Sequence, residues 1–179
     1  MAMRPQLATA HDDPSTASAA RQFGEGRLPS IREFLSFTLG EEAYGIDILR
    51  VKEIRSYERP TQLANAPDFL KGVINLRGVI VPIVDMRVRF RLPRVSYDSF
   101  TVVIVLSLGP REVGMVVDSV SDVITFGPEQ LHAVPEFSSS VDSEHLLALG
   151  SSAGRTVILL DIEKLMASTG MGLANTTLH

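Results

Sequence analysis

The chain has 179 residues, 45% of them hydrophobic, with 17 basic and 21 acidic side chains and a net charge of −4. That length suits one domain or two small, closely packed halves, and it is enough to bury a real core. The acidic balance argues against a general nucleic-acid or anionic-membrane binder, which carries a basic excess or stripe. With no cysteine there is no disulfide framework, thiol chemistry or Cys-based metal site, and with no tryptophan the core must be Val, Ile, Leu and a few Phe. No apolar stretch reaches the ~18–20 residues of a membrane span, and the first residues lack a signal-peptide layout, so a cytosolic protein is expected.

Residues 1–31 are rich in Ala, Ser, Thr, Pro and Gly without periodicity, and are expected to form a flexible tail. Phe34–Leu39 reads as a strand, 40–42 as a turn, and Tyr44–Ile48 as the return strand, apolar at 44, 46 and 48. A helical turn is expected at 49–51 and a strand at 53–57, stopped by Arg59-Pro60. Asn65–Leu70 fits a single helical turn, capped by Asn65 or Ala66 with Pro67 at its first position. The runs 72–76 and 79–84, rich in Val and Ile, predict a hairpin with a short, bulge-type turn near Gly78, and Asp85 predicts the cap of a short helix reaching Arg91. Residues 93–99 read as a linker. Strands follow at 100–108, 113–117 and 121–126, then a loop or helical turn at 128–136 and a polar loop at 138–143. A second hairpin covers 145–160, and Asp161 caps a last helix at 162–167, with a second tail at 168–179.

The second half repeats the first. At an offset of 69 residues, 34–54 falls on 103–123 without a gap: Gly45 meets Gly114, Ile48 meets Val117, Val51 meets Val120 and Glu53 meets Asp122. At a slightly larger offset, Val81–Met86 parallels Val157–Ile162, and Gly154-Arg155 falls in roughly the place of the Arg77 turn. Each half is then about five short strands and a helix. Five strands make a poor open sheet but close into a small barrel. The expected fold is therefore mainly β, two five-stranded barrels in tandem, at 33–92 and 98–167.

Catalytic signals are thin. The four histidines lack the spacing of a helix-borne metal pair, and neither a phosphate loop nor a Gly-x-Ser-x-Gly elbow occurs. Glu112, Asp118 and Asp122 read as solvated strand ends rather than a carboxylate site. No catalytic residue, metal or cofactor is expected. Arg77 stands out, at the mouth of an apolar hairpin and able to present a planar fork of donors to a carboxylate. Glu53 is its obvious mate within the chain, and a structural ion pair and a partner-binding arginine remain equally open. There are also more aliphatics than two tiny cores need, Val51, Ile54, Val73, Ile80 and Val117 among them, and a leftover exposed patch marks an interface. A strand glycine signals a bulge or a close approach, and at Gly114 the approaching object is either the chain or a partner.

The run Tyr44-Gly45-Ile46-Asp47-Ile48-Leu49-Arg50-Val51-Lys52-Glu53-Ile54, the hairpin Gly72-Val73-Ile74-Asn75-Leu76-Arg77-Gly78 with Pro82 and Asp85, and Val113–Asp118 with Val120–Val123 resemble the CheW family of bacterial chemotaxis coupling proteins. The resemblance covers about 33–167. Met86, where leucine is usual, and a longer N-terminal tail are the departures. It implies two five-stranded SH3-like barrels. It also implies a non-catalytic adaptor in the cytoplasm, at arrays on the inner face of the membrane. That adaptor binds the hairpin tip of methyl-accepting chemoreceptors and the regulatory domain of the histidine kinase CheA. Receptor-facing positions carried over are Val51, Arg77 and Gly114, with Glu53 as the arginine's structural partner; Ile54 and Arg55 are assigned to the kinase. The alternative from another class is a nucleic-acid-binding small barrel, which calls for basic residues interleaved with exposed aromatics. Aromatics are only 6% here.

Overall fold

The computed structural model describes residues 32–135 and 143–167; the expected tails and most of the 138–143 loop lie outside them. Within those residues the strands are β1 (Arg32–Leu39), β2 (Glu42–Asp47), β3 (Val51–Ser56), β4 (Leu70–Leu76), β5 (Val79–Asp85), β6 (Val102–Leu108), β7 (Arg111–Val117), β8 (Ser119–Phe126), β9 (Leu131–His132), β10 (Leu146–Ser152) and β11 (Arg155–Leu160). The helices are α1 (Met86–Arg89) and α2 (Ile162–Ala167). The fold is mainly β in two subdomains, as expected, with 3-10 turns at Ile48–Arg50 and Pro128–Gln130.

The sheets do not follow the expected 33–92 and 98–167 boundaries. One sheet runs β8-β1-β2-β11-β10-β9 and the other β3-β6-β7-β5-β4, so each takes strands from both halves. The repeat explains the exchange. The hairpin β1–β2 of the first half joins β8, β10 and β11 of the second; its image, β6–β7, joins β3, β4 and β5 of the first. Each exchange is closed by a parallel pairing, β2 with β11 and β7 with β5, in otherwise antiparallel sheets. Strands paired in parallel cannot be joined by a tight turn, and here hairpins traded between halves meet that demand.

The surplus of aliphatics is resolved by the same exchange. Phe34, Phe126, Val157 and Leu159 fill the interior of the six-stranded sheet, and Val81, Ile83, Val103, Val105 and Val116 that of the five-stranded one. A third and larger cluster lies between the sheets, with Phe37, Tyr44 and Ile46 from one meeting Val84, Ile104, Leu106, Met115 and Val117 from the other. Strand β6 is buried on both faces, which is why its sequence reads as an unbroken apolar run rather than an alternation.

Both main hairpins close on two-residue turns. Leu76 pairs with Val79 across Arg77 (φ 51°) and Gly78 (φ 87°), and Ser152 with Arg155 across Ala153 (φ 50°) and Gly154 (φ 74°). Positive φ at both central residues matches the twist of the flanking strands. The first turn is thus not the bulged type expected, and the bulge lies at the far end of the hairpin, between Leu70 and Gly72. Asn75 Oδ1 accepts from Gly78 N at 2.8 Å and steadies the tip. Register also corrects the repeat: the residue in Arg77's place is Ala153, while Arg155 answers to Val79.

The expected helical turn at 65–70 is absent. Asn65 sits at φ 60°, outside the extended region a helix cap needs, and Leu70 N donates to Pro67 O in a simple turn leading into β4. Asp85 and Asp161 do cap their helices, accepting from Arg87 N at 3.0 Å and Lys164 N at 3.1 Å. The strand β9 was not anticipated, since two residues carry no readable period.

One buried polar network joins the subdomains. Arg87, fully buried, donates through Nε and Nη2 to the two oxygens of Asp85, each at 3.0 Å, and through Nη1 to Asp118 Oδ1 at 2.9 Å and to Ser96 O. Tyr97 lies against the guanidinium, 4.8 Å to its ring centre, and donates its hydroxyl to Asp85 at 2.8 Å. Asp118 Oδ2 in turn accepts from Gly40 N in the β1–β2 turn, at 2.7 Å. Burial opposes the charge on Arg87, but its hydrogen bonds to the Asp85 and Asp118 carboxylates outweigh it, and the guanidinium's pKa is raised.

Candidate functional site

The singled-out residues of the first half meet where β3 passes the tip of β4–β5. Strand β3 exposes alternate residues, and a register shift between Val51 and Glu53 leaves Lys52 as the extra residue. Glu53 is thereby placed beneath the hairpin tip. Arg77 Nη2 donates to Glu53 Oε2 at 2.5 Å, and Arg55 Nη1 to Glu53 Oε1 at 3.1 Å. The expected Glu53–Arg77 pair is therefore made, and Arg55 completes a fork that uses both carboxylate oxygens. The Arg77 hydrogen bond, then that of Arg55, holds the Glu53 carboxyl below the usual carboxylate range, and Glu53 raises Arg77 in return. Lys52 pairs with Glu112 beside them.

The pairing leaves the arginine available. Arg77's side chain is 66% exposed while Glu53's is 22% exposed, so the guanidinium is held at one edge and open at the other. Exposed apolar residues lie on the same strands: Val79 and Ile80 just after the tip and Ile54 on the other face of β3 are 45%, 50% and 46% exposed. Val51 is half-buried and packs against the central core, and Val73 is also half-buried. Val117 is fully buried and belongs to the core alone.

Gly114 packs closely within its own chain. It is buried, and a Cβ built on it would lie 2.5 Å from Ile83 Cδ1 and 2.9 Å from Val103 Cγ1. Its repeat mate Gly45 would meet Leu159 Cδ2 at 2.8 Å and Val157 Cγ1 at 3.3 Å. In both repeats the nearest approach comes from the strand paired in parallel, β11 at Gly45 and β5 at Gly114, joined at Gly114 by the antiparallel β6. Glycine is needed there because hairpin exchange presses two strands together. Gly114 is therefore a packing residue within its own chain, as Gly45 is.

The three carboxylates weighed for catalysis do not converge. Glu112 is held by Lys52, Asp118 by Arg87 and the Gly40 amide, and Asp122 pairs with no other described residue. Among the described residues no three His, Asp or Glu side chains gather as a metal site. Lys52, Arg55 and Arg77 are each matched by a carboxylate, the reverse of a groove that tracks phosphates. Lys52 and Glu112 are the site residues that sequence reasoning missed. Their pairing is a contact between strands far apart in the chain, and no spacing announces it.

A clamped but open guanidinium beside exposed aliphatics has the composition that protein interfaces favour. Residues 33–170 match the CheW-like domain. The chain belongs to the CheW family. It is 57% identical over 144 residues to the chemotaxis protein CheW of Klebsiella aerogenes, covering 80% of this chain and 87% of that one. A probable chemotaxis protein CheW of Rhizobium etli is 31% identical, over 77% of this chain and 89% of its own. The crystal structure of the scaffolding protein TtCheW from Thermoanaerobacter tengcongensis superposes with a TM-score of 0.71 at 25% identity, covering 82% of this chain and 94% of that one. Among the described residues no helix is long and apolar enough to cross a membrane.

Proposed function

We propose that this chain is a chemotaxis adaptor that couples the cytoplasmic tips of chemoreceptors to the histidine kinase CheA, in the cytoplasm beneath receptor arrays. The observation that carries the reading is Arg77: a guanidinium held on one side by Glu53, open on the other, and set among exposed Val79 and Ile80 in a chain of the CheW family. An arginine fixed this way is pre-organised to meet a helical receptor tip, because part of its rotamer entropy is lost before binding. It is a binding element, and the carboxylates beside it, Glu53 and Glu112, are each engaged by a cation.

Ile54 and Arg55 serve the kinase. Ile54 points away from the Glu53 face of β3 and is exposed, while Arg55 shares the Glu53 carboxylate with Arg77. Glu53 therefore joins the receptor-facing and kinase-facing residues electrostatically. Val51 belongs beside Arg77 as an apolar contact, but its packing against the core makes Val51→Asp a change to the fold as well as the surface.

Arg77→Glu is the cleaner probe. In pull-downs with a receptor cytoplasmic fragment and with CheA, the wild-type chain captures each, separately and together. Arg77→Glu weakens receptor capture roughly tenfold or more, as loss of a charged contact at an interface does. Circular dichroism and thermal melting stay unchanged, and CheA capture falls less than receptor capture. Receptor capture at wild-type strength would remove Arg77 from the site.

A further inference from the structure

The internal repeat gives the Arg77 surface an image on the other sheet, and that image is an open groove. Lys52 is answered by Ser121, Arg55 by Ile124, Arg77 by Ala153 and Glu112 by Ala43. Four long charged side chains are thus exchanged for small or apolar ones on the same backbone. What remains is a cavity of about 620 Å³ between the β10–β11 tip, the β1–β2 turn and β8. Its volume lies within the range of ligand-binding clefts. The carboxylate survives the exchange: Glu53 is answered by Asp122, exposed on the groove wall with no hydrogen bond or ion pair to another described residue. In the first subdomain two guanidinium groups of the chain itself occupy the corresponding carboxylate. In the second, neither Ala153 nor Ile124 can.

Charge points the same way. Glu41, Glu42 and Asp122 line the groove against a single cation, Arg155, and Glu42 is already engaged by the Tyr44 hydroxyl at 2.8 Å. The floor is apolar, with Ala43, Ile124 and Val157. A cationic head on an apolar stem fits an acidic rim over such a floor.

We propose that this groove docks a protein segment of a partner that presents an arginine, whose guanidinium meets Asp122 in the place Arg77 takes beside Glu53. The subdomain that lacks its own arginine accepts one from outside. This surface is separate from Arg77 and is on the opposite sheet, so one adaptor carries two arginine-centred contacts of opposite polarity, one offered and one received.

The test uses the full chain and two synthetic peptides, acetyl-Ala-Arg-Ala-Val-amide and acetyl-Ala-Glu-Ala-Val-amide, followed by amide chemical shifts in nuclear magnetic resonance. The arginine peptide produces saturable shifts at Ala43, Asp122, Ile124 and Ala153, and the glutamate peptide produces none there. Asp122→Asn keeps the shape of the groove and weakens the arginine peptide roughly tenfold, the loss expected for one charge-assisted contact. Ala153→Arg supplies the chain's own guanidinium and abolishes the shifts. Saturable shifts of equal size with both peptides, shifts unaffected by Asp122→Asn, or no saturable shifts in this groove would each overturn the proposal. Unchanged melting of both variants separates loss of binding from loss of fold.

Discussion

Arg77-Gly78 and Ala153-Gly154 close their hairpins with the same backbone, both residues of each pair at positive φ. At the first tip a guanidinium reaches down to Glu53, and the residues that follow the turn, Val79 and Ile80, are exposed and apolar. At the second, Ala153 stops short, and the space above Asp122 stays open. The turn is set by backbone sterics and by glycine at its second position, which both copies keep. What the tip can bind depends on the side chain at the first position and on its neighbours across the barrel. A repeated fold can therefore diversify its surfaces while its hairpins stay the same.

The flanks of the two subdomains differ as strongly. Asp85 and Arg87, after β5, belong to the buried network that reaches Asp118 and Gly40. Their images after β11 are Asp161 and Glu163, and Glu163 makes an exposed ion pair with Arg50 at 2.6 Å. One flank of the molecule is locked from within and the other is held at the surface.

The largest expected effect comes from breaking that contrast. Arg87→Met leaves Asp85 and Asp118 without their cation, and urea unfolding should report a loss of about 3–5 kcal/mol, the range for an uncompensated buried charge. Glu163→Ala at the image position should change stability by no more than about 0.5 kcal/mol. Equal effects at the two sites would show that the buried network does not hold the subdomains together.

The paired glycines sharpen the comparison next. Gly114→Val forces Cβ atoms into Ile83 and Val103 and should cost about 1–3 kcal/mol through overpacking. Gly114→Ala should lower the melting temperature more than Gly45→Ala, whose nearest neighbours stand further off. A Gly114 variant that lost receptor binding at full stability would place this position in the interface.

The smallest effect is set by pH. Burial, then the Glu42 carboxylate, raises the Tyr44 phenol, and burial, then Asp85, raises Tyr97. A folded-state pKa above the unfolded value of about 10 means that the contribution is fully present below that value and is lost as pH rises through the raised one. The urea midpoint should fall above about pH 10, and Tyr44→Phe or Tyr97→Phe should each flatten the fall. An equally steep fall in the double variant would rule out both phenols as its cause. Glu53 has the opposite sign: its lowered carboxyl contributes at neutral pH, and the contribution is lost as pH falls through the lowered value.

Much of this was legible in the residues. The Arg77 hairpin, the caps Asp85 and Asp161, the pairing of Glu53 with Arg77 and the internal repeat could all be read in the chain. Turn type was misjudged at Gly78, because a two-residue turn with arginine at positive φ runs against that residue's usual preference. Asn65–Leu70 was misjudged because Asn65 takes the left-handed conformation that asparagine tolerates. At Gly114 the glycine spacing reports a close approach but not what approaches, and within the chain it is Ile83 and Val103 that do.

Alternation, turn glycines and capping aspartates act over a few residues, and the sequence by itself determined the hairpins, the helix starts and the family. Tertiary structure alone decided which hairpin enters which sheet. That choice sends the surplus aliphatics into a core shared by both sheets. It buries Arg87 against Asp85 and Asp118, brings Lys52 to Glu112, and leaves Asp122 facing an open groove. Each of these depends on strands distant in the chain lying side by side. Such contacts are set by the whole packed molecule, and no local pattern encodes them.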